Sequence, residues 1–171
     1  VSGNPAESPL HERLYGYAKL ISEHLLPKTR AYHEIWLDEE HLNPQDEEDP
    51  LYQDRYLPRK FKIGISVPPN NDPDVFANDA GLIAIVENDE LKGFNITVGG
   101  GLSATHGNPE TYPRAATVIG YVDVRDGNEK LLAALYEIVT IQRDFGNRSD
   151  RKLARLKYTL DRMGVEEFKT E

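Results

Sequence analysis

Two lysines, Lys60 and Lys62, stand two positions apart in the segment YLPRKFKIGIS, residues 56–66. Residues at this spacing in an extended strand project from the same face, about 7 Å apart along the chain. Two ammonium groups held so close repel each other unless an anion lies between them, so the pair could bind an anionic substrate and donate protons to it. Lysines also protect exposed sheet edges from aggregation, and for two lysines alone this alternative is favoured. Arg59 adds a third cation directly before the pair.

A second basic cluster occupies the segment QRDFGNRSDRKLARLKY, residues 142–158. Its cations are Arg143, Arg148, Arg151, Lys152, Arg155 and Lys157. The apolar spacing predicts a helix that starts at Ser149 and ends at Gly164, because glycine commonly terminates helices. The inward positions of this predicted helix are Leu153, Leu156, Leu160 and Met163.

Cations are unfavourable where Arg151 and Lys152 are predicted to lie, because the N-terminus of a helix carries partial positive charge. Asp150 could offset them, or an anionic ligand could bind there. Arg151 and Arg155 would share one face of the helix and direct two planar guanidinium groups at one region. Ion pairing with the acidic loop at residues 38–55 explains the charge pattern equally well.

Three glycines, Gly99, Gly100 and Gly101, follow a predicted strand in the segment VGGGLSATHG, residues 98–107. Glycine lets a backbone approach a flat or anionic ligand closely. The run lacks the spacing of a dinucleotide-binding motif and the lysine of a phosphate-binding loop. His106 in the same loop could donate a proton or bind a metal, although a single histidine in such a loop more often does neither. The sequence contains no HExxH pattern of zinc hydrolases and no nucleophile-elbow motif.

Length and charge restrict these possibilities. The 171 residues are predicted to form a single domain, residues 1–171, and the net charge of −9 disfavours binding to nucleic acid. The sequence has no cysteine, so it offers no disulfide, thiolate nucleophile or cysteine-ligated metal site. No apolar run approaches the ~18–20 residues of a membrane span and no signal peptide is visible, which predicts a cytoplasmic protein without membrane contact. The sequence starts without an initiator Met, as expected of a piece of a longer protein.

The elements that must position these residues include both helices and strands, which predicts an α+β domain with a mixed sheet flanked by helices. Ser8 and Pro9 open a predicted helix that ends at Pro27. The other predicted elements are strands at 31–38, 61–67 and 118–124, a hairpin within 81–98 that turns at ENDE, and a helix opening at 126–128. In the strand at 61–67 the residues expected to face the core are Phe61, Ile63, Ile65 and Val67. Those expected on its opposite face are Lys60, Lys62, Gly64 and Ser66.

Several segments in combination resemble one family. They are ISEHLLPKTRAYHEIWLD, YLPRKFKI, FNITVGGGLSATHGN, QRDFGNRSDRK and RLKYTLDRMGVEEFK, in this order along nearly the whole chain. Together they are similar to the assimilatory sulfite reductase haemoproteins, which carry sirohaem coupled to a 4Fe-4S cluster. The resemblance implies that the chain is the first part of the central catalytic region of a longer enzyme. In that family the cluster cysteines follow this region, so the cluster ligands are expected outside this chain.

The resemblance also implies roles for particular residues. Sirohaem carries many carboxylates, so its pocket requires several cations. Lys60 and Lys62 are the expected catalytic residues, which would bind the anionic oxygens of sulfite and help to deliver protons during its six-electron reduction to sulfide. The expected cofactor-binding residues are Arg59, Gly99, Gly100, Gly101, Arg151, Lys152 and Arg155. The family usually has lysine at the position of Arg155, so the charge is kept while the geometry changes.

Two alternatives stay open at this point. Sirohaem nitrite reductases share the fold and cofactor, but Phe61, Lys62 and Leu102 differ from the residues usual in those enzymes, which favours sulfite. The second alternative is a non-catalytic module that binds anions or recruits a basic partner through the acidic loop. The partners expected of the enzyme are sulfite, the remaining domains of the parent protein, and an electron donor that is either an NADPH-dependent flavoprotein subunit or ferredoxin.

Overall fold

A mixed sheet of four strands packed against helices forms the framework of the computed structural model. This architecture confirms the predicted α+β class. The structure describes residues 1–28, 36–37, 40–41, 49–53 and 55–171. The predicted strand at 31–38 lies largely outside these ranges, and the acidic loop at 38–55 lies partly outside them.

Four helices and six strands lie within the described ranges. The helices are α1 (Pro9–Leu25), α2 (Glu129–Phe145), α3 (Leu156–Met163) and α4 (Val165–Thr170). The strands are β1 (Trp36–Leu37), β2 (Glu40–His41), β3 (Ile63–Ser66), β4 (Ala80–Glu87), β5 (Glu90–Val98) and β6 (Thr117–Asp123). Short 3-10 turns occur at Pro5–Glu7, Val75–Ala77 and Arg151–Leu153. In the described part of the chain, no helix has both the length and the apolar character needed to cross a membrane.

The sheet has the strand order β3-β4-β5-β6, with β3 parallel to β4 and the other pairs antiparallel. β4 and β5 form the predicted hairpin, whose turn residues Asn88 and Asp89 have φ values of 53° and 62°. Asparagine and aspartate tolerate positive φ better than most residues, so this pair suits a two-residue hairpin turn. Ala80 at the start of β4 pairs with Val98 at the end of β5 and with Ile63 at the start of β3. The lysine segment and the glycine run therefore meet at one end of the sheet.

One hydrophobic core joins α1, the sheet, α2 and α3. Its fully buried members include Leu14, Leu82, Phe94, Leu131, Leu135 and Leu160. Tyr17 of α1 packs edge-on against Phe94, with 5.2 Å between the ring centroids. The predicted helix cap is confirmed, because Ser8 Oγ accepts a hydrogen bond from the His11 amide at 3.3 Å. Burying each large apolar side chain contributes roughly 1.5–3 kcal/mol, so this core holds α3 firmly against the sheet.

β3 is shorter than the predicted strand at 61–67, but its apolar face points into the core as predicted. The core-facing side chains are Phe61, Ile63, Ile65 and Val67. The opposite face, on which the sequence predicts Gly64 and Ser66, is covered at these two residues. Both residues are buried, and a Cβ added to Gly64 would lie 2.8 Å from Asn78 Nδ2. The segment that contains the Val75–Ala77 turn therefore packs on this side of the strand.

The prediction of one helix from Ser149 to Gly164 is wrong in its first part. Arg151–Leu153 forms a separate 3-10 turn, and α3 begins only at Leu156. Asp150 caps the turn, since its Oδ1 accepts a hydrogen bond from the Lys152 amide at 2.8 Å. Gly164 does end α3, as predicted, and α4 follows it.

A tertiary contact lies at the break before α3. The carbonyl oxygen of Ala154 accepts a hydrogen bond from Gln142 Nε2 of α2 at 2.7 Å, which ties the end of the 3-10 turn to α2. Arg155 occupies the N-cap position of α3 with extended backbone angles, φ −80° and ψ 153°. Arg151 and Arg155 consequently do not share a helix face, and Arg151 and Lys152 do not lie in the first turn of a helix.

Candidate anion-binding site

A cleft of about 780 Å³ lies at the end of the sheet where the two basic segments meet. Its lining residues are Leu57, Pro58, Arg59, Lys60, Lys62, Ser103, Asn147, Arg148, Arg151 and Arg155. Six of these are cations, and within the described ranges no carboxylate is among the lining residues. We call this feature the basic cleft. It concentrates positive charge on a chain whose net charge is −9, as a site for a polyanionic ligand requires.

The two basic segments approach each other closely at Gly146 and Pro58. A Cβ added to Gly146, directly after α2, would lie 2.6 Å from Pro58 Cγ, so a larger residue would separate the two walls of the cleft. Lys60 and Lys62 are exposed to solvent on their wall, and Arg59 is exposed beside them. The backbone amide of Ser2 donates a hydrogen bond to Ile65 O at 2.8 Å. This contact covers part of the edge of β3, so that part of the edge is protected without the lysines.

The structure brings together five of the nine residues predicted from the sequence for the site. Those that line the basic cleft are Arg59, Lys60, Lys62, Arg151 and Arg155. Lys152 is exposed and lies outside the lining, as do the three glycines. Arg148 also lines the cleft, although the sequence did not single it out within its basic segment. Its Nη2 donates to Arg143 O at 2.7 Å, which fixes the guanidinium at this wall.

Arg155 is the cleft cation with the most extensive support. Its Nε and Nη2 both donate to Asp79 Oδ1 at 3.1 Å, and Nη2 also donates to Gly100 O at 2.9 Å. The side chain is 16% exposed, whereas the Asp79 side chain is 1% exposed. Arg155 thus presents a partly buried, oriented guanidinium to the cleft.

Asp79 connects three segments of the site. Its Oδ2 accepts a hydrogen bond from the Lys62 amide at 3.0 Å, and its backbone oxygen accepts one from the Gly99 amide at 2.8 Å. Burial raises the pKa of Asp79, while the guanidinium of Arg155 and the amide of Lys62 act in the opposite direction. Sequence reasoning missed Asp79, because a single aspartate before a strand carries no pattern of its own.

The glycine run has a packing role that the structure makes plain. A Cβ on Gly100 would lie 2.3 Å from Phe76 O, and one on Gly101 would lie 2.6 Å from Arg155 Nη1. Gly99 has a φ of 75°, which disfavours residues with a side chain. The space beside these glycines is therefore filled by atoms of this chain. The expected close approach of the three glycines to a cofactor stays a prediction.

Lys157 does not line the cleft and supports the loop that follows the glycines. Its Nζ donates to Gly101 O at 3.0 Å, to Ser103 O at 2.9 Å and to Tyr112 O. The residue is 1% exposed. Burial lowers the pKa of Lys157, and the nearby Arg155 lowers it further. This lysine of the second basic cluster is a structural residue.

A second set of contacts holds the far side of the same loop to α3. Asp161 of α3 accepts hydrogen bonds from Tyr112 Oη and from Arg114 Nε, both at 2.8 Å. Arg114 Nη1 also donates to Gly99 O at 2.9 Å. Burial, together with the hydrogen bond to Asp161, raises the pKa of Tyr112 to about 12. The loop that contributes Ser103 to the cleft is thus fastened from both sides.

The chemistry available in the basic cleft is anion binding rather than metal ligation. The chain has no cysteine, and the described residues contain no cluster of histidines and carboxylates that could hold a metal ion. Lysine and arginine donate charge-assisted hydrogen bonds to carboxylates and other oxyanions. The cleft can therefore bind a ligand with several negative groups and can position protons beside it.

Comparison with known proteins identifies the family. The model of the nitrite and sulphite reductase 4Fe-4S domain matches residues 16–171. The chain therefore belongs to the nitrite and sulphite reductase 4Fe-4S domain family, and the resemblance inferred from its sequence is confirmed.

The names of similar proteins are consistent with this family. The chain is 64% identical over 171 residues to the sulfite reductase (NADPH) hemoprotein beta-component of Leptospira biflexa, covering 99% of this chain and 30% of that protein. It is 55% identical over 172 residues to a protein of the same name from Geobacillus thermodenitrificans, covering 98% and 29%. Among solved structures, the Mycobacterium tuberculosis NirA protein matches with a TM-score of 0.51 and 29% identity, over 66% of this chain and 18% of that one. The chain thus spans about 30% of the length of the curated relatives it matches.

Proposed function

We propose that this chain is one wall of the sirohaem and sulfite site of a sulfite reductase. The observation that carries the proposal is the basic cleft, in which six cations converge at one end of the sheet with no carboxylate among the described lining residues. Sirohaem fits this lining, because its many carboxylates need charged hydrogen-bond donors at several positions. The names of the relatives favour the same function.

Five of the six cations that line the cleft have a role in this proposal. Arg59, Arg151 and Arg155 bind carboxylates of sirohaem, and Lys152 is a further contact that becomes available if the cofactor extends beyond the cleft. Lys60 and Lys62 bind the oxygens of sulfite and hold protons close to them. Electrostatic stabilisation of an anion in a site that excludes water is often the largest contribution to catalysis. When bound, sirohaem and its coupled 4Fe-4S cluster would pass electrons from the electron donor to sulfite.

Other parts of the proposal concern the parent protein. The cluster ligands lie in other parts of that protein, because this chain has no cysteine. Residues 1–171 form one domain of a longer enzyme, and the isolated chain is inactive. The relatives carry NADPH in their names, which favours an NADPH-dependent flavoprotein subunit over ferredoxin as electron donor. A cytoplasmic location also belongs to the proposal.

The visible absorption spectrum of the full-length parent protein, with its iron and acid-labile sulfide content, tests the proposal directly. We expect the isobacteriochlorin-type spectrum of sirohaem and cluster iron in the parent, and a colourless isolated chain. A parent protein with neither sirohaem nor cluster iron, after expression in a host that makes sirohaem, would overturn the proposal.

Lys62 is expected to separate sulfite from nitrite as substrate, a choice that the family description leaves open. We expect Lys62→Asn in the full-length enzyme to lower kcat/KM for sulfite at least ~10-fold relative to that for nitrite, since a neutral amide loses the charge and protons that sulfite requires. Lys60→Asn is the matched control and should lower both activities. Unchanged sulfite reduction by Lys62→Asn would remove the main reason in this chain for preferring sulfite.

A further inference from the structure

We propose that Asp79 is a positioning residue of the basic cleft. It fixes the position of Arg155 relative to the lysine segment. The inference rests on the proposed function and assigns a role to a residue outside the cleft lining. Asp79 touches neither sulfite nor sirohaem in this proposal, and acts through Lys62 and Arg155.

The hydrogen-bond pattern around Asp79 requires a carboxylate. Oδ2 accepts from the Lys62 amide at 3.0 Å, and Oδ1 accepts from both Nε and Nη2 of Arg155 at 3.1 Å. Every partner is a donor, and an ionised carboxylate is the short side chain with acceptors on both of its terminal atoms. An asparagine would direct its NH₂ group at either Lys62 or Arg155. One of the two contacts would then be lost.

The position of Arg155 depends on this contact. With Nε and Nη2 engaged by Asp79, the guanidinium plane is fixed, and no hydrogen bond among the described residues engages Nη1. Gly101 lies against this group, because a Cβ there would come within 2.6 Å of Nη1. Asp79 and Gly101 thus define the guanidinium position from two sides.

Burial affects which protonation state of Asp79 the fold favours. Because burial raises the pKa of Asp79 above its usual 3.8, the folded chain binds the proton more tightly than the unfolded chain does. The contribution of the group to the free energy of unfolding is therefore largest below the usual pKa and is lost as the pH rises through the folded-state pKa. Burial thus opposes ionisation of Asp79, whereas the contacts with Arg155 and Lys62 favour it. The carboxylate of Asp79 provides the contacts to Lys62 and Arg155.

The test uses the full-length, sirohaem-loaded protein and two readouts. The first is the half-time of sirohaem release in mild urea, followed by its visible absorbance, and the second is KM for sulfite. We expect Asp79→Asn to shorten the half-time and raise KM, each by about tenfold, because small displacements in a preorganised site have large effects. The thermal midpoint of the apoprotein should fall by no more than about 3 °C. Asp123→Asn removes another arginine-paired aspartate, on β6, and should behave as the unmodified protein.

A double-mutant cycle shows whether Asp79 acts through Arg155. In an Arg155→Gln background, Asp79→Asn should change the release half-time less than twofold. Gly101→Ala, which displaces the guanidinium from the opposite side, should shorten the half-time in the native background and have no effect in Arg155→Gln. This second variant tests the inference if Asp79→Asn does not fold.

The outcomes separate the inference from the proposed function. A parent protein without sirohaem contradicts the proposed function and the inference with it. A sirohaem-loaded parent in which Asp79→Asn matches Asp123→Asn overturns the inference alone. Effects of Asp79→Asn and Arg155→Gln that simply add in the double variant would also overturn it.

Discussion

Replacing Lys60 or Lys62 with methionine in the full-length protein is expected to lower kcat for sulfite by about a hundredfold or more, with the sirohaem content largely retained. Methionine keeps most of the apolar stem and removes the ammonium group, so the variant tests charge and proton supply. Both lysines are exposed in the basic cleft. The described hydrogen bonds of Lys62 involve its backbone alone, since its N–H donates to Asp79 and its oxygen accepts from the Ala80 amide. Neither substitution should therefore disturb the fold. Turnover is measured with a chemical electron donor, which bypasses the natural partner.

The control for this prediction is Lys130→Met, which removes an exposed lysine from the first turn of α2. It should leave kcat unchanged. If Lys60→Met and Lys62→Met also retain full turnover, the two lysines are not catalytic. That result would favour the alternative of a non-catalytic anion-binding or interaction module.

Replacing Lys157 with methionine is expected to lower the free energy of unfolding of this chain by about 3 kcal/mol or more. The change removes the Lys157 donor from three carbonyl oxygens, those of Gly101, Ser103 and Tyr112. Gly101 O keeps the hydrogen bond from the Arg114 amide at 2.9 Å. Buried acceptors that lose a partner cost about 1–3 kcal/mol each, and hydrogen bonds to charged groups are stronger than neutral ones. Urea unfolding followed by circular dichroism measures the difference.

The matched control is Lys169→Met in α4, whose side chain is 42% exposed and only loosely paired with Glu166, at 3.8 Å. This change should alter the free energy of unfolding by less than about 0.5 kcal/mol. An equal effect of the two substitutions would show that the buried contacts of Lys157 do not stabilise the loop. The comparison thus separates a structural lysine from an ordinary surface one.

Sequence alone determined those features that depend on local patterns. The helix that starts after Ser8, the hairpin at ENDE and the inward face of β3 follow from caps, turn residues and apolar periodicity, all of which act over a few positions. The family also follows from the sequence, because several motifs occur in the same order along the chain. The lysine pair and the basic segment were recognised as possible anion-binding groups for the same reason: their spacing is visible in the sequence.

Only the tertiary structure decided which of these cations act together. The two basic segments are far apart in the sequence, and it is the parallel pairing of β3 with β4 and the packing of Pro58 against Gly146 that bring them to one cleft. Lys157 and Arg155 are only two residues apart, yet one is buried under a loop and the other lines the cleft. Gln142 and Asp79 hold this arrangement, because Gln142 binds the carbonyl oxygen of Ala154 before α3 and Asp79 binds the guanidinium of Arg155. Such non-local hydrogen bonds leave no periodic pattern in the sequence, so the composition of the site could be predicted but its assembly could not.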